Sequence, residues 1–285
     1  MPELPEVEAA ARSLAQWAGR RRLRQIECSE PRSLDGAAVA SLRVLPGTRL
    51  TTVERVGKNI LLTFVGRRGT NATVVGAWSH LGMTGKWVRR SPADAAPRFS
   101  RLRLDFEGAI SLHFVDMRLF GFFRVVPGAN FSVIPAIAAL GPDPLRDGID
   151  VPRLATLLAR RRRLPVKVAI MDQALIPGVG NIQASEGLHR ASIDPRRPAS
   201  SLTRPEVSGL ARSLMASFHY TLRTLERAQA SGIGKDIEYV EEPGTRNPFK
   251  VYDRAGERCS RCEKGTIVRL VQAGRSTYFC PAHQR

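Results

Sequence analysis

The sequence predicts an α+β fold: an antiparallel β-sandwich behind an N-terminal helix, followed by a helical domain and a C-terminal metal-binding β-hairpin. Three observations predict it. Residues 43–126 contain short stretches in which apolar and polar side chains alternate, residues 150–230 carry apolar side chains at helical spacing, and paired cysteine motifs frame the last strands. A chain of 285 residues is long enough for two domains, each with its own buried core.

Basic residues dominate the charge of the chain, and the formal net charge is +18. Such a surface attracts polyanions, so we expect a nucleic acid as the partner; a membrane surface or an acidic protein is the alternative. The sequence has no secretory signal and no apolar run of about 18 residues, so we expect no membrane association. We also expect the protein to be a monomer. Cys28 stands alone and three other cysteines cluster near the C-terminus, which is not a disulfide framework and predicts a reducing, cytoplasmic compartment.

The chain begins Met-Pro-Glu-Leu-Pro-Glu-Val-Glu, and its second residue is the first candidate catalytic group. If Met1 is removed, the ring nitrogen of Pro2 becomes a free secondary amine with a pKa of about 8. Attack of that amine on a sugar aldehyde carbon gives an iminium cation, which is an electron sink. Glu3 would lie beside the amine and give or take protons. The alternative is structural: Pro5 and Glu6 suit the first turn of a helix, and composition alone favours that interpretation.

Residues 2–8 resemble the N-terminal signature of the formamidopyrimidine-DNA glycosylase family, the Fpg/Nei group of base-excision repair enzymes. The resemblance implies that Pro2 and Glu3 are catalytic and that Glu6 supports the active site. Apolar side chains follow at helical spacing at positions 7, 10, 11, 14 and 17, which predicts a first helix with one buried face.

Two hairpins are predicted within the sandwich. In the first, residues 51–56 and 60–64 flank a turn with Lys58 at its tip. In the second, residues 101–106 and 110–114 alternate and predict antiparallel strands with one buried face. A lysine at a hairpin tip is ordinarily a solvated charge. The family resemblance implies instead that Lys58 is an active-site lysine close to the lesion and its phosphate.

Two glycine-containing loops resemble family motifs. The sequence His-Leu-Gly-Met-Thr-Gly at 80–85 is similar to the family's His-Leu-Gly-Met-Ser-Gly, and Asp-Met-Arg-Leu-Phe-Gly at 116–121 is similar to Asp-Pro-Arg-Arg-Phe-Gly. The resemblance implies that Met83, Arg118 and Phe120 enter the gap left by a flipped nucleotide. The alternative is that Met83 and Phe120 are core residues and Arg118 is a surface charge. Met117 and Leu119 depart from the family's Pro and Arg, which bears on lesion preference.

Turn-forming residues divide the chain. We expect a catalytic β-sandwich domain, a linker, a helical DNA-binding domain and a zinc-finger hairpin, at residues 1–127, 128–149, 150–250 and 251–285. Short helices are predicted from Asp150 and Pro165, and a long helix begins with a capping box at Thr203. By resemblance to the family, Lys167 lies close to DNA.

Residues 176–186 read Ile-Pro-Gly-Val-Gly-Asn-Ile-Gln-Ala-Ser-Glu. Two glycines before a helix let its backbone amides approach a phosphate, and Asn181 can cap that helix and donate to a phosphate oxygen. A Gly-x-Gly turn alone is commonly structural, but at this length the segment resembles the family's helix–two-turn–helix element. Gln183 replaces the family's aromatic residue. Glu186 is expected to hold the turn or to neighbour the site without catalysing.

The C-terminal segment contains one C-x-x-C and one C-x-x-H pair, formed by Cys259, Cys262, Cys280 and His283. Three thiolates and one imidazole match a closed tetrahedral zinc site, so we expect one structural Zn²⁺ and no organic cofactor. A redox-active cysteine pair is the alternative, and the histidine argues against it. The family usually has four cysteines here. By the same resemblance, Arg275 at the hairpin tip grips phosphate beside the lesion.

The resemblance extends from residue 2 to the last predicted metal ligand. It implies a base-excision repair enzyme for damaged double-stranded DNA that is both a DNA glycosylase and an AP lyase. Oxidised purines, 8-oxoguanine and formamidopyrimidines, are the expected substrates because the three gap-filling residues are present. Oxidised pyrimidines are the alternative, since residues 233–250 match the family's lesion-contacting loop poorly. A non-catalytic zinc-finger protein that binds damaged DNA is a second alternative.

Overall fold

The computed structural model describes residues 2–68, 71–231 and 247–285. The helices in this part of the chain are α1 (Leu4–Ala18), α2 (Pro135–Ala138), α3 (Pro144–Asp147), α4 (Val151–Ala159), α5 (Val166–Ile170), α6 (Asn181–Ala191) and α7 (Arg204–Ser231). The strands are β1 (Leu23–Cys28), β2 (Arg49–Val56), β3 (Asn59–Arg68), β4 (Asn71–His80), β5 (Lys86–Arg90), β6 (Ser100–Phe106), β7 (Ile110–Val115), β8 (Phe122–Pro127), β9 (Val268–Gln272) and β10 (Arg275–Phe279). Among the helices of the described residues, none has both the length and the apolar character that a membrane crossing requires.

Two antiparallel sheets of four strands each form the N-terminal fold, in the orders β2-β3-β4-β8 and β1-β6-β7-β5. Because side chains alternate along a strand, each sheet sends every second residue into a shared core. Leu62 and Phe64 of one sheet meet Leu104 and Phe114 of the other in that core. The predicted β-sandwich is confirmed, and Lys58 lies in the turn between β2 and β3.

The β6–β7 hairpin differs in one respect from the expectation of a single buried face. β6 alternates between buried and half-buried residues, but all six residues of β7 are buried. Its polar residues are satisfied internally, since the two ring nitrogens of His113 lie 2.9 Å from Ser100 Oγ and 3.1 Å from Ser111 Oγ. Hydrogen-bonded polar side chains are tolerated on a buried face, and alternation in the sequence does not reveal that burial.

Helix α1 packs its apolar face on the core of the sandwich, as its spacing predicts. Val7 and Leu14 are buried among the strand residues. At its start Glu3 and Glu6 form a capping box, in which each satisfies a backbone N–H of the other. The first turn of α1 is therefore held against the core.

The first part of the predicted linker covers the second face of one sheet. Phe131, Ile134 and Ile137 pack against Leu61 and Trp78. These two residues belong to β3 and β4, so the β2-β3-β4-β8 sheet has apolar contacts on both faces.

The chain divides into two compact units. The first contains residues up to Ala138 and the end of α7 from Leu225, and the second contains residues from Ala139 to Thr224 together with 247–285. The finer four-part division remains a prediction.

Two helices of the second unit begin at the predicted caps. Asp150 accepts a hydrogen bond from the Arg153 N–H at 3.0 Å and so caps α4. At α7 the Glu206 carboxylate accepts from the Thr203 N–H at 2.7 Å, which completes a capping box.

Helix α6 is almost entirely buried, from Asn181 to His189. Gln183, which stands where an aromatic residue was expected, is fully buried and hydrogen-bonded to α7. It accepts from Ser217 Oγ at 2.7 Å and donates to Thr221 Oγ1 at 3.0 Å. Two side-chain hydrogen bonds therefore connect these two helices at Gln183, and both the oxygen and the nitrogen of its amide have a partner.

Strands β9 and β10 form the C-terminal hairpin, with Gln272 opposite Arg275. The two residues between them, Ala273 and Gly274, have φ values of 48° and 73°. Two positive φ angles in a two-residue loop match the right-handed twist of a hairpin. β9 begins at Val268, later than the Thr266 predicted from the sequence.

The core contact of α1 can be tested at Leu14, whose side chain is fully buried. Leu14→Ala should lower the free energy of unfolding by about 2–5 kcal/mol, because removal of buried methyl groups leaves a cavity. Gln16→Ala, at an exposed position of the same helix, is the matched control and should change it by less than about 0.5 kcal/mol. Urea unfolding followed by circular dichroism measures both; equal losses would contradict the placement of this face.

Candidate active site and metal centre

The start of the chain forms a buried acidic pair beside Pro2. Pro2, Glu3 and Glu6 are all buried. The Glu6 Oε2 atom accepts a hydrogen bond from the Glu3 backbone N–H at 3.0 Å. Burial, and then the charge of Glu3, raise the pKa of Glu6 to about 7. Near neutral pH the pair can therefore hold a proton beside Pro2.

Lys58 is half-buried in the turn that follows β2, and an ion pair holds this turn to α1. The Arg55 Nε atom lies 2.6 Å from Glu8 Oε2, and the same guanidinium donates to the Gly57 carbonyl at 3.1 Å. Gly57 has a φ of 59°, a backbone conformation that favours glycine. α1 thus positions the backbone that carries Lys58 through Arg55, a residue that no motif in the sequence pointed to.

His80 is the first residue of the loop motif at 80–85, and it lies close enough to Lys58 to be affected by its charge. Burial, and then the positive charge of Lys58, lower its pKa. Its Nδ1 accepts from the Gly82 N–H at 3.0 Å, which leaves Nε2 as the protonated nitrogen of the neutral ring. A ring contact with Phe122, 5.6 Å between centroids, fixes its orientation. His80 is therefore a hydrogen-bond donor near Lys58.

Asp116 joins the two glycine-containing loops. It is fully buried, and its Oδ1 accepts from Thr84 Oγ1 at 2.6 Å and from the Arg118 N–H at 3.1 Å. Its Oδ2 accepts from the Gly121 N–H at 2.8 Å. Gly82 of the first loop lies against the backbone of the second, so that a Cβ at Gly82 would be 2.3 Å from the Phe120 carbonyl carbon. One carboxylate therefore sets the geometry of both loops.

The three side chains expected to enter DNA are exposed on these joined loops. Met83 is 38% exposed and Phe120 is 54% exposed, so the alternative that they are core residues is wrong. The Arg118 guanidinium lies 4.9 Å from the centre of the Phe120 ring. Met117, at 57% exposure, adds a further apolar side chain to the same loops.

In the second unit, Lys167 is buried and ties α6 to the hairpin. Its Nζ donates to Asn181 Oδ1, to Thr277 Oγ1 at 2.8 Å and to the Ser276 carbonyl at 3.2 Å. The N-cap residue of α6 is Gly180 and not Asn181, which is the first helical residue. Arg275 is exposed at the turn next to these groups. Lys167 therefore positions both Asn181 and the backbone beside Arg275.

The turn before α6 is held by Gln173, another residue that sequence reasoning missed. Its Oε1 accepts from the Gly178 N–H at 2.8 Å, and its Nε2 donates to the Val179 carbonyl at 2.9 Å. Gln173 thereby closes the segment that leads into the N-terminus of α6.

Glu186 is buried, and its carboxylate binds backbone N–H groups of a neighbouring segment. Its buried carboxylate accepts from the backbone N–H groups of Lys250, Val251 and Tyr252 at 2.8–3.1 Å. These three amides follow residues 232–246, which lie outside the described residues. Most of the predicted lesion-contacting loop, residues 233–250, falls in that segment. Glu186 fixes the position of the backbone at Lys250, Val251 and Tyr252.

Cys259, Cys262, Cys280 and His283 come together as a cluster of metal-ligand type. Their ligand atoms all lie within 4.8 Å of one another. The Sγ atoms of Cys262 and Cys280 are 3.7 Å apart, and Cys259 Sγ lies 3.4 Å from His283 Nδ1. A tetrahedral ion with bonds of about 2.3 Å to sulfur requires sulfur–sulfur separations of about 3.8 Å, so the residues present fit a metal ion.

Gly265 leaves room for these ligands. A Cβ at this position would lie 2.5 Å from Cys280 Sγ and 3.5 Å from Cys262 Sγ. The turn that follows Cys262 therefore requires glycine at this point. The structure thus assembles the predicted residues in two groups, one in each unit.

Both units match family models. The model for the formamidopyrimidine-DNA glycosylase N-terminal domain matches residues 1–123, and the model for the formamidopyrimidine-DNA glycosylase H2TH domain matches residues 140–232. The formamidopyrimidine-DNA glycosylases of Desulfitobacterium hafniense and Laribacter hongkongensis are 35% and 38% identical to the chain, in alignments that cover all of each sequence.

Solved structures agree. A complex between the Lactococcus lactis Fpg and DNA containing an abasic site has a TM-score of 0.84 at 25% identity and covers 99% of each chain. A structure of MutM with DNA containing carbocyclic 8-oxo-G has a TM-score of 0.84 at 26% identity and covers 100% of each chain. The fold and these domains define a DNA glycosylase of the helix–two-turn–helix type. The chain belongs to the formamidopyrimidine-DNA glycosylase family, as its motifs predicted.

The buried carboxyl of Glu6 should make stability depend on pH. Because its pKa rises from the ordinary 4.5 to about 7, the native protein binds this proton more tightly than the unfolded chain does. The resulting stability is complete below about pH 4.5 and is lost as the pH rises through about 7. Glu6→Gln, which cannot ionise, should lack this loss. Between about pH 5 and pH 8 the wild type should lose about 1–3 kcal/mol relative to the variant, as measured by urea unfolding.

The exposed Glu54 supplies the control. Glu54→Gln should follow the wild type across the same pH series. Parallel stability curves for the wild type and Glu6→Gln would show that the Glu6 carboxyl is not perturbed in the folded protein.

Crowding at Gly265 leads to a second test. Gly265→Ala should speed the transfer of bound metal to a chelator about tenfold or more, since the added methyl would lie 2.5 Å from Cys280 Sγ and 2.6 Å from Ala282 Cβ and must displace them. Gly209→Ala is the control, because a Cβ there meets no atom within 4 Å. Equal release from both variants would be inconsistent with the packing at Gly265.

Proposed function

We propose that this protein is a base-excision repair DNA glycosylase that removes oxidised purines and then cleaves the strand at the abasic site. The observation that carries the proposal is the buried Pro2–Glu3–Glu6 start of α1 in a chain that matches formamidopyrimidine-DNA glycosylases over its full length. The same start in a protein without a DNA-binding unit would be an ordinary capped helix.

Pro2 is the proposed nucleophile. With Met1 removed, its secondary amine has a pKa of about 8, so roughly a tenth of it is neutral at pH 7. The nitrogen lone pair attacks C1′ of the damaged nucleotide, and the glycosidic bond breaks toward the base. The ammonium formed at Pro2 then loses its proton, which balances the proton taken up by the departing base. Opening of the sugar, with proton transfer from Glu3 to the ring oxygen, leaves an iminium between Pro2 and C1′. Loss of the C2′ proton then drives elimination of the 3′-phosphate, and a second elimination releases the 5′-phosphate.

Glu6 supports this chemistry through Glu3. Its carboxylate holds the Glu3 N–H, and its pKa of about 7 lets it exchange a proton with the neighbouring carboxylate near neutral pH. Glu6 is therefore a positioning residue in the proposal. Lys58, in the turn that Arg55 ties to α1, is proposed to contact the phosphate of the damaged nucleotide.

The loops joined by Asp116 are proposed to replace the flipped nucleotide. Extrusion of a base leaves a gap that costs a few kcal/mol. Met83 and Phe120 offer exposed apolar surface to fill it, and Arg118 offers donors for the orphan base. The hydrogen bonds of Asp116 to both loops would preorganise these three side chains for DNA binding.

The second unit is proposed to hold the DNA backbone. The backbone amides at the start of α6 and the Asn181 side chain suit a phosphate oxygen, and Arg275 at the hairpin tip suits a second phosphate. Lys167, with its ammonium bonded inside the protein, supports this surface by fixing Asn181 and Thr277.

Oxidised purines are the proposed lesions. The solved relatives include MutM with carbocyclic 8-oxo-G and the Lactococcus lactis Fpg with FAPY-dG, each in DNA. Oxidised pyrimidines are the other candidate, because the segment expected to contact the flipped base falls mostly outside the described residues. The relatives are bacterial, and we place the enzyme with the DNA in the bacterial cytoplasm.

The cluster of three cysteines and His283 is proposed to hold one structural zinc ion. Sulfur and imidazole ligands in tetrahedral spacing favour zinc over harder cations. All four positions are protein ligands, so the ion would order the hairpin that carries Arg275 and take no part in the reaction.

Borohydride trapping tests the nucleophile. The full chain is mixed with a duplex containing one 8-oxoguanine and reduced, and the covalent complex is mapped by mass spectrometry. We expect cross-linking at Pro2 that disappears when the N-terminus is extended. Glu3→Gln should slow base removal by about a hundredfold or more, in line with general acid catalysis, and Glu54→Gln should not.

The other candidate functions give different results in the same assay. Trapping with an oxidised pyrimidine but not with 8-oxoguanine would keep the chemistry and change the substrate. Tight binding without trapping on any lesion or on an abasic site would identify a DNA-binding protein that is not an enzyme, and would overturn the proposal.

A further inference from the structure

His189 of α6 touches two of the four residues in the metal cluster, although it is not one of them. It is 2% exposed and therefore lies inside the second unit. Its ring stands against the ring of His283 at 4.6 Å between centroids and an angle of 78°. The sequence motif at residues 176–186 ends three residues before His189.

The side chain of His189 reaches Cys259. Its Nε2 lies 3.4 Å from Cys259 Sγ. A cysteine that binds a metal does so as a thiolate, which has lone pairs and no proton to donate. Nε2 must therefore carry the proton and donate an N–H···S hydrogen bond.

The backbone of the same residue reaches His283. The His189 carbonyl lies 3.0 Å from His283 Nε2, and His283 Nδ1 faces Cys259 Sγ at 3.4 Å. Since a carbonyl can only accept, His283 Nε2 carries the proton and Nδ1 keeps its lone pair for the metal. The Arg261 guanidinium also donates to this carbonyl, at 3.3 Å, and so helps to hold it in place.

We propose that His189 is a positioning residue for the metal centre, which orients Cys259 through its ring N–H and His283 through its carbonyl. The inference rests on the proposed metal site and adds a residue to it from outside the cysteine motifs. α6 begins at Asn181, so the helix that presents the proposed phosphate contact also supports half of the ligand set. The carbonyl survives any substitution, and the ring donor can be tested by mutation.

The experiment uses the full chain loaded with Zn²⁺ or with Co²⁺. His189→Phe keeps an aromatic ring against His283 but has no donor, and His189→Gln supplies an N–H donor again. His219→Phe, at an exposed position of α7, is the matched control. Two readouts are taken: the rate of Zn²⁺ transfer to a chromogenic chelator, and the thiolate-to-cobalt charge-transfer absorption of the Co²⁺ form.

We expect His189→Phe to release zinc about tenfold faster than the wild type, with a shifted charge-transfer band, because outer hydrogen bonds of metal ligands usually carry effects of this size. His189→Gln should recover most of both properties, and His219→Phe should match the wild type. Wild-type release and spectrum in His189→Phe would overturn the assignment. Equal loss in the Phe and Gln variants would also overturn it, since packing and not the donor would then support the site.

A measurement on the wild type covers the case in which a variant fails to fold. In protein with nitrogen-labelled histidine and NMR-active cadmium, His189 should be the Nε2–H tautomer, with its proton coupled to the metal through Cys259. An unprotonated Nε2 would overturn the proposal. A wild-type chain that binds no metal at all would refute the proposed metal site itself, a result distinct from the failure of His189.

Discussion

The hydrogen bond from the Glu3 backbone N–H to the Glu6 carboxylate is the constraint on which the proposed chemistry depends. It closes the first turn of α1, directly after Pro2. Burial of this carboxylate disfavours its charge, which is why its pKa rises toward neutrality. The apolar face of α1, with Val7 and Leu14 in the sandwich core, then fixes the whole start of the chain. The core of the sandwich therefore positions the proposed nucleophile.

Buried polar side chains do the same for the loops. Asp116 bonds the side chain or backbone of two loops and thereby presents Met83, Arg118 and Phe120 together. In the second unit Glu186 binds three consecutive backbone amides. Loops carry unsatisfied backbone groups, and a buried carboxylate stabilises those groups while fixing their direction. The exposed residues that are proposed to contact DNA thus derive their geometry from buried carboxylates.

The metal cluster links ligand chemistry to the helix that supports it. His283 stands where the family usually has cysteine, and an imidazole has a second nitrogen that must be satisfied. The His189 carbonyl satisfies it at 3.0 Å. His283 and His189 are therefore joined by a backbone hydrogen bond as well as by the contact of their rings. Gly265 completes the arrangement by leaving space for the Cys280 sulfur.

The sequence by itself determined the β2–β3 and β6–β7 hairpins of the sandwich, the first turn of α1, the caps of α4 and α7, and the four candidate metal-ligand positions. These follow from local rules: alternation, capping side chains and the spacing of cysteines. Only the tertiary structure decided that Lys167 is buried with its ammonium bonded inside the protein, that β7 is buried throughout, and that Arg55, Gln173, Asp116 and His189 hold the sites. Their partners are distant in sequence or belong to the backbone, and such hydrogen bonds leave no periodic pattern in the sequence.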